Sequence, residues 1–367
     1  MIILAQPIFV PRVAPVVPPP PLDPQLMAAL FDPDPFIRQR AAWQVEHVIV
    51  PGFTYPGYDI APPGTPVFSG DASPTDSSAD FATFMNANAG NKIALVPGRV
   101  YKMDSSLQFF NLDGWDLYGQ GATVTCNVQG TGNQAWIRAI VSDNWRIRDI
   151  ELIGTFDHIY YTYPDAKEDW RGFIIEGGNN VRMDRMKIRQ FAGDCVYIGP
   201  RGGTGDPFDT PDGMTFVNCD FSDAGRNAVS MVGGINASFL GCRIRDGGLA
   251  AFDVEPNSSS DIVDNLLVAA CRFSGGDLGE SGSESHDSHG NGYPFYGSAG
   301  GAQATHHTLI GNSFDFGAIY YRRGGAPWND NISVTNNVAD NLGDCDFDTS
   351  DTNITFSNNT NITRVNH

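Results

Sequence analysis

Residues 213–274 carry one pattern of apolar and polar positions three times in succession. Residues 216–221, 239–244 and 268–273 align position by position, with apolar residues at the first, second, fourth and sixth places. Alternation of this kind places successive side chains on opposite faces of a β-strand. Because the pattern returns at a nearly constant interval, it indicates a chain that winds into successive coils.

The fourth position of this pattern can be followed further along the chain. In our interpretation the column holds three cysteines and then three asparagines: Cys219, Cys242, Cys271, Asn312, Asn336 and Asn358. The steps between these positions are 23, 29, 41, 24 and 22 residues. Short strands at this period, turns of Gly, Asn and Asp, and no helical periodicity predict an all-β parallel β-helix, a solenoid of stacked coils. The longer steps indicate loops inserted into a regular coil.

A second strand follows in each coil, and Val196, Val229 and Phe252 occupy matching places in it. The spacing predicts that these three side chains fill equivalent interior positions. Since side chains alternate along a strand, Asp253 and Glu255 are then expected to point outward. Two residues along a strand span about 6.6 Å, a separation from which a pair of glycosidase carboxylates can be built. Asp253 and Glu255 are therefore our candidate catalytic residues.

Further polar side chains are predicted on or near the same surface. The candidate substrate-binding residues are Tyr197, Ser230, Glu176, Asp194, Arg322 and Tyr293, the last as an aromatic ring that stacks on a sugar. Insertions at 200–212 and 274–306 are expected to wall this surface. The alternative is that outward carboxylates on an acidic solenoid are solvated surface, or bind sugar hydroxyls without any reaction.

The charge of the chain narrows the classes of ligand. The 367 residues are 41% hydrophobic and carry a net charge of −19. Nucleic acid and anionic membrane surfaces are disfavoured as partners, because they need clustered Lys and Arg. The same negative charge disfavours an acidic polysaccharide as a ligand unless a cation bridges the protein and the polysaccharide. The expected ligand is therefore a neutral or weakly charged glycan.

The cysteines and acidic clusters give no strong indication of a redox or metal site. Three of the six cysteines share the repeat column, where buried, reduced thiols are expected. The sequence has neither zinc-type spacing nor a disulfide framework. We predict no metal or other cofactor, with Ca²⁺ kept as an alternative. The groups considered as ligands are His286, Asp287, His289 and Asn291 in one loop, and Asp344, Asp346 and Asp348 for Ca²⁺.

Composition divides the chain into three parts. Residues 1–60 include four consecutive prolines at 18–21 and two stretches of helical pattern, which predict an extended, partly helical attachment arm. Residues 61–106 are predicted to form a linker and an entry cap, and residues 107–367 the β-helix. The apolar start lacks a basic region and is broken by prolines, so we expect neither a signal peptide nor a membrane span. We expect the protein to be synthesised in the cytoplasm.

The entry to the solenoid resembles a known group of proteins. Residues 70–81 contain Gly-Asp, Thr-Asp and Ala in order, residues 93–101 end in Pro-Gly-Arg-Val-Tyr, and residues 117–124 read Leu-Tyr-Gly-Gln-Gly-Ala-Thr-Val. These motifs are similar to the entry of the pectate-lyase-like right-handed parallel β-helix proteins. Many bacteriophage tailspikes and tail-fibre proteins share it. The resemblance implies a right-handed β-helix and a capping helix from Ser77 to Ala89.

The resemblance and the N-terminal arm together favour a virion protein. They imply a tailspike or minor tail protein that binds a host cell-surface polysaccharide, with its depolymerisation by a hydrolase or lyase reaction as a further hypothesis. Other tail or baseplate proteins are expected to bind residues 1–60. An open C-terminal β edge would aggregate, and homotrimerisation, usual among tailspikes, is expected to cover it. The alternatives are a non-catalytic tail component or adhesin, and a cellular polysaccharide hydrolase or lyase.

Overall fold

The computed structural model describes most of the chain from residue 58 onward. The described residues are 58–70, 73, 75–127, 134–156, 170–201, 209–258, 261–274, 293–299, 303–315, 319–323, 329–347 and 353–366. Pro56–His367 forms one compact unit. Most of the arm predicted over residues 1–60 lies outside the described residues and stays a prediction. Among the described residues, no helix has the length and apolarity needed to cross a bilayer.

The described chain winds into coils whose strands pair in parallel with the coils before and after them. Corresponding strands form three columns, named sheets 1, 2 and 3 in the order in which a coil visits them. Sheet 1 contains β1 (Val67–Phe68), β2 (Lys92–Leu95), the starts of β5 (Asp116–Thr125) and β7 (Arg146–Ile153), β9 (Arg182–Asp184), β12 (Thr215–Val217), β16 (Ser238–Leu240), β20 (Leu267–Ala269), β24 (Thr308–Ile310), β28 (Ser333–Thr335) and β30 (Thr355–Ser357).

Sheets 2 and 3 complete each coil. Sheet 2 contains β3 (Val100–Lys102), the ends of β5 and β7, β10 (Lys187–Arg189), β13 (Asp220–Ser222), β17 (Arg243–Arg245), β21 (Arg272–Ser274), β25 (Ser313–Phe314) and the starts of β29 (Val338–Phe347) and β31 (Thr360–Asn366). Sheet 3 contains β4 (Leu107–Phe110), β6 (Gln134–Ile140), β8 (Trp170–Glu176), β11 (Val196–Gly199), β14 (Asn227–Met231), β18 (Ala250–Val254), β22 (Tyr293–Ala299), β26 (Ile319–Arg323) and the ends of β29 and β31. A smaller sheet of β15 (Gly234–Ile235), β19 (Ile262–Asp264), β23 (Gln303–Thr305) and β27 (Asn329–Asp330) lies between sheet 3 and the next sheet 1.

The interior of the solenoid is a ladder of equivalent apolar side chains. Val196 pairs with Val229, and Val229 pairs with Phe252, in direct register, and all three are fully buried. This confirms the predicted equivalence of the three positions. Rings also stack from coil to coil, with 4.4 Å between the centroids of Phe216 and Phe239. A coil spacing of about 4.8 Å places such rings in contact, which is why one coil cannot bury its apolar side alone.

A polar column inside the coils corrects one detail of the sequence interpretation. The side-chain amide of Asn312 donates to Asn337, and that of Asn337 donates to Asn359, at 3.0 and 3.1 Å. Asn336 and Asn358, predicted for these places, instead have φ of 56° and 54° and form the corner between sheets 1 and 2. The prediction was wrong by one residue in both coils. Two consecutive asparagines stand there, and the first adopts the left-handed conformation that asparagine tolerates.

The six cysteines are buried free thiols, which confirms the prediction for the three cysteines of the repeat column. Burial raises the pKa of Cys195, Cys219 and Cys242 well above the usual value. These thiols therefore stay protonated and behave as small apolar side chains.

A single described helix covers the start of the stack, as the resemblance implied. Helix α1 (Ser78–Ala87) begins one residue later and ends two residues earlier than predicted. Its Phe81 is fully buried, with ring centroids 5.1 Å from Phe68 and 6.2 Å from Trp136. The helix thus closes the apolar end of the first coils.

Candidate functional site

The outward face of sheet 3 carries the residues that the sequence singled out. Asp253 lies between the buried Phe252 and Val254 on β18, and its neighbours in register are Ser230 on β14 and Tyr296 on β22. The same row continues through earlier and later strands. Its members are Gln108, Arg138, Ile174, Tyr197, Ser230, Asp253, Tyr296 and Tyr320.

The two candidate catalytic acids differ in their exposure. Glu255 has a side chain that is 31% exposed, whereas Asp253 as a residue is only 6% exposed. The expectation of two solvent-facing carboxylates is therefore corrected for Asp253. Its Oδ2 accepts a hydrogen bond from Asn227 Nδ2 at 2.9 Å, and its Oδ1 is buried and receives no hydrogen bond from a donor in the described part of the chain. The alternation of side chains predicted correctly that Asp253 lies on the outward face of sheet 3, but polar side chains of the adjacent coil cover it.

This burial changes the protonation of Asp253. Burial is the largest cause that raises the pKa of Asp253 well above its usual value, and the charge of the nearby Glu255 carboxyl and a hydrogen bond with it raise the pKa further. Asp194 acts in the same direction, and the positive charge of Arg226 opposes it. A carboxyl in these surroundings keeps its proton at a pH where an exposed aspartate is ionised.

Two arginines link the acids of neighbouring coils. Arg226 places Nη2 at 2.9 Å from Glu255 Oε2 and Nη1 at 3.4 Å from Asp194 Oδ2. Arg171 Nε donates to the same Asp194 oxygen at 3.0 Å, and the backbone amide of Asn227 donates to the other oxygen at 3.2 Å. Asp194 is fully buried, so these donors replace the water that its charge would otherwise need.

A third arginine extends this arrangement along the solenoid. Arg138 binds Glu176 through two nitrogens, with Nε at 2.9 Å from Oε2 and Nη2 at 3.0 Å from Oε1. Glu176 is 1% exposed. The structure therefore places the predicted ligands Glu176 and Asp194 at the site but pairs both with arginine. The charged cluster is defined here by seven residues: Arg138, Arg171, Glu176, Asp194, Arg226, Asp253 and Glu255.

Tyr197 and Ser230, the uncharged ligands predicted for this surface, lie beside the charged cluster. The guanidinium of Arg171 sits over the Tyr197 ring, 4.4 Å from its centroid, and the ring is half-buried. Burial is the largest cause that raises the pKa of Tyr197, so its hydroxyl remains a hydrogen-bond donor. Ser230 is buried, and its Oγ accepts a hydrogen bond from Asn227 at 3.0 Å.

The last two predicted ligands are placed only by their backbones. Tyr293 pairs with Ala250, and Arg322 pairs with Ser298, so both lie on strands of sheet 3. Their side chains lie outside the described residues, as do most of the 200–212 and 274–306 insertions.

The arginines of the cluster and Asn227 were not predicted from the sequence. A signal for some of them was present in the alignment of the coils. Arg171, Asp194 and Asn227 each stand two residues before the aligned interior positions of three successive sheet 3 strands. A polar residue repeated at one place in consecutive coils indicates a lateral network.

No metal site is formed by the described residues. Within them, no group of three His, Cys, Asp or Glu side chains could hold an ion. The loop with His286, Asp287, His289 and Asn291 lies outside the described residues, as does Asp348. Asp344 on β29 is exposed. Calcium binding stays an untested alternative.

Sequence similarity to a known protein covers less than a third of the chain. No family model matches the chain. It is 31% identical over 112 residues to the uncharacterized protein YclG of Bacillus subtilis (strain 168), a match that covers 29% of this chain and 19% of that protein. The match thus spans less than a fifth of the length of this relative.

Solved structures identify the fold. A polygalacturonase from Erwinia carotovora ssp. carotovora superimposes with a TM-score of 0.52 at 12% identity, over 84% of this chain and 95% of the enzyme. The pectate lyase Pel9A superimposes with a TM-score of 0.51 at 13% identity, over 80% of this chain and 78% of the lyase. The chain is a right-handed parallel β-helix. At these identities the likeness concerns the fold of the β-helix alone.

A tailspike is also among the similar structures. Tailspike protein gp49 of Acinetobacter baumannii bacteriophage Fri1, a capsular polysaccharide depolymerase, matches with a TM-score of 0.49 at 13% identity. The match covers 82% of this chain and 55% of the tailspike, so this chain spans little more than half of that protein.

Proposed function

We propose that this β-helix is a bacteriophage tail protein that binds a neutral polysaccharide of the host surface and hydrolyses it at Asp253 and Glu255. The observation that carries the proposal is the unequal pair of carboxyls on sheet 3. Asp253 is buried and its pKa is raised, whereas Glu255 reaches solvent and pairs with Arg226. Two carboxyl groups in unlike surroundings are the arrangement that glycosidases use as acid and base.

The roles follow from these surroundings. Asp253 donates its proton to the glycosidic oxygen as the bond from that oxygen to the anomeric carbon breaks, and the bonding electron pair stays on the oxygen. Glu255 either attacks the anomeric carbon or removes a proton from the water that does so. The first route retains the anomeric configuration and the second inverts it. Proton NMR of the first product formed distinguishes them.

The pairing of the cluster supports a neutral substrate and a hydrolase. Arg138, Arg171 and Arg226 each bind a carboxylate of the cluster, at distances between 2.7 and 3.4 Å. With Asp253 protonated, the three guanidinium groups face three carboxylates. A lyase must neutralise the carboxylate of a uronic acid beside the bond that it breaks, and these three cations are already engaged. An uncharged sugar adds no charge to this balanced set.

The place in a phage tail rests on the sequence of residues 1–60. Their proline-rich, apolar composition is typical of an extended segment that lies along another protein. We infer that this arm binds other tail or baseplate proteins and that the β-helix assembles as a homotrimer. Immunogold labelling of virions tests the first inference, and light scattering of the purified protein gives the subunit number. Virions without label would overturn the inference that the arm binds tail or baseplate proteins. A monomer in solution would overturn the homotrimer.

Two substitutions test the catalytic proposal. Asp253→Asn and Glu255→Gln should each lower the release of reducing ends from a host polysaccharide by about 10²- to 10⁴-fold. The probes are purified neutral and uronate-containing surface polysaccharides from a panel of bacteria. Binding, measured by calorimetry, should persist in both variants. Glu151→Gln is the matched control, because Glu151 is 33% exposed and pairs with Arg189 at 3.2 Å on sheet 2.

The outcomes separate the remaining functions. Products that carry a new ultraviolet absorbance would identify elimination and overturn the hydrolase assignment. Binding without any release by the wild type would establish a non-catalytic adhesin or tail component. That second candidate is favoured by the complete pairing of Glu176 and Asp194, which suits a purely structural network.

A further inference from the structure

Asn227 on β14 connects Asp253 to the backbone of the next coil. It is fully buried, and its Oδ1 accepts a hydrogen bond from the backbone amide of Ala250 at 2.9 Å. Its Nδ2 donates to Asp253 Oδ2 at 2.9 Å and to Ser230 Oγ at 3.0 Å. The amide group therefore uses its acceptor on one side and its donors on the other.

These contacts determine which way the amide is turned. The backbone N–H of Ala250 can only donate, so the oxygen of the Asn227 amide must face it. The nitrogen then faces Asp253. An NH₂ group has no acceptor, so Asp253 cannot direct its own proton toward it. Asp253 Oδ2 is consequently an acceptor, and the acid proton resides on Oδ1.

Oδ1 is the oxygen of Asp253 that receives no hydrogen bond from a donor in the described residues. The Glu255 carboxyl shares a side-chain hydrogen bond with the Asp253 carboxyl, so Glu255 can accept the proton while no ligand is bound. In a glycosidase the substrate takes this proton, because the glycosidic oxygen receives it as the bond breaks.

We propose that Asn227 is a positioning residue that holds the proton of Asp253 on Oδ1 and thereby fixes the oxygen from which the glycosidic bond is protonated. This inference rests on the hydrolysis proposed above. In the reaction the proton leaves Oδ1 for the glycosidic oxygen, and the carboxylate that remains keeps the hydrogen bond from Asn227. That bond strengthens as charge develops on Asp253, so it favours the transition state over the ground state.

The neighbours of Asp253 define what a substitution should change. The charged groups that act on it are Glu255 from its own strand, Arg226 from the residue before β14 and Asp194 before β11, and its titratable neighbour in register is Tyr296 on β22. Asn227 is uncharged and donates to the carboxyl. Its removal should therefore disfavour the ionised form of Asp253 and raise the pKa of that carboxyl further.

The first test is Asn227→Ala, followed by two readouts. We expect kcat to fall about tenfold, the effect of one hydrogen bond to a charged group, and the alkaline limb of the kcat/KM profile to move to higher pH. The second readout needs no substrate. Carbon NMR of protein labelled at aspartate carboxyls, with the Asp253 signal assigned through Asp253→Asn, should show Asp253 titrating at higher pH in the variant than in the wild type.

A second variant keeps the test valid if Asn227→Ala does not fold. Asn227→Asp has the same size and still accepts from Ala250, but it presents an oxygen to Asp253. The two carboxyls then share a proton, which draws it from Oδ1 to Oδ2, and kcat should fall at least as far. The control is Asn337→Asp, since Asn337 is equally buried and also accepts from a backbone amide, far from the charged cluster.

The outcomes separate this inference from the proposed hydrolysis. If Asp253 titrates at high pH and shifts with Asn227, but the wild type releases no sugar, hydrolysis is wrong and the control of the proton stands. If hydrolysis depends on Asp253, but neither its titration nor the alkaline limb moves in the Asn227 variants, the positioning role is overturned.

Discussion

The guanidinium of Arg226 lies 2.9 Å from the carboxylate of Glu255, the acid of the proposed pair that reaches solvent. Arg226→Gln removes this positive charge from both Glu255 and Asp194. We expect reducing-end release to fall about 100-fold, because Glu255 loses its orientation and Asp253, without the opposing charge of Arg226, holds its proton more tightly. The alkaline limb of kcat/KM should move to higher pH.

The same substitution should also lower stability. Asp194 is fully buried and keeps Arg171 as a partner, so the free energy of unfolding should fall by about 2 kcal/mol, less than for a lone buried charge. Chemical denaturation measures this. Arg243→Gln is the control, since Arg243 is 57% exposed and stands 4.0 Å from Asp220. Equal effects of the two substitutions would refute a specific role for Arg226.

The asparagine column gives a prediction in which two adjacent residues behave oppositely. Asn337 is fully buried, accepts from the backbone amide of Asn312 at 2.9 Å, and donates to the Leu309 carbonyl at 3.0 Å. Asn337→Ala should lower the free energy of unfolding by about 3 kcal/mol, because both backbone groups lose their partners. Asn336→Gly should change it by less than about 0.5 kcal/mol, because glycine readily adopts the left-handed corner conformation.

Thermal unfolding of both variants distinguishes the interior residue from the corner residue. Similar losses at Asn336 and Asn337 would contradict the assignment of the column. The test is also a check on the register of the last coils, which the sequence placed one residue away.

The β-helix could be predicted from the sequence because the pattern of apolar and polar positions that specifies it is local and is repeated in successive coils. Strand alternation and a return near 23 residues are visible wherever no loop is inserted between coils, and they placed Val196, Val229 and Phe252 correctly. The entry motifs added the handedness and the capping helix. The interior column was assigned to Asn336 instead of its neighbour because two asparagines stand next to each other, and alternation does not show which of the two forms the corner.

The candidate site was predicted less completely, because its contacts cross between coils. Alternation gives the face of Asp253 but not what lies beside it. The covering residue Asn227 is 26 residues away in sequence, and Arg138 and Glu176 are 38 residues apart. Inserted loops make the sequence distance between contacting residues of adjacent coils irregular. The pairing of arginines with acids can therefore be recognised only once the register of the strands is known.

The buried histidine of the later coils makes stability depend on pH. Burial lowers the pKa of His307 from 6.5 to about 4, so the folded protein keeps this ring neutral. A folded-state pKa below the unfolded value gives stability that is present above about pH 6.5 and is lost as the pH falls toward 4. Between pH 7 and pH 5 the loss from His307 should be about 2 kcal/mol.

Denaturation curves at pH 7 and pH 5 measure this difference for the wild type and for His307→Gln. The variant should lose less stability than the wild type on acidification. His306→Gln serves as the control, because His306 has a side chain that is 56% exposed and pairs with Asp264 at 2.8 Å. The explanation fails if His307→Gln and His306→Gln change the pH dependence alike.

Asp59 fastens the segment that leads into the β-helix. Its carboxylate lies 3.2 Å from Arg148 and 2.9 Å from Arg185, and its backbone amide donates to Asp149 at 3.1 Å. Burial acts to raise the pKa of Asp59, but the charge of Arg185 and hydrogen bonds from both arginines outweigh it and lower the pKa. The contact is therefore complete above about pH 4 and is lost only as the pH falls through the lowered pKa.

Asp59→Asn should release this segment at neutral pH, since an amide cannot replace the charge that both arginines bind. Hydrogen exchange followed by mass spectrometry should then show faster exchange at Asp59 and at Ala61, whose amide donates to Gln120 at 3.2 Å. Asp80→Asn, on the exposed side of α1, should leave that exchange unchanged. Unchanged protection in Asp59→Asn would mean that the backbone hydrogen bonds hold the segment without the ion pairs.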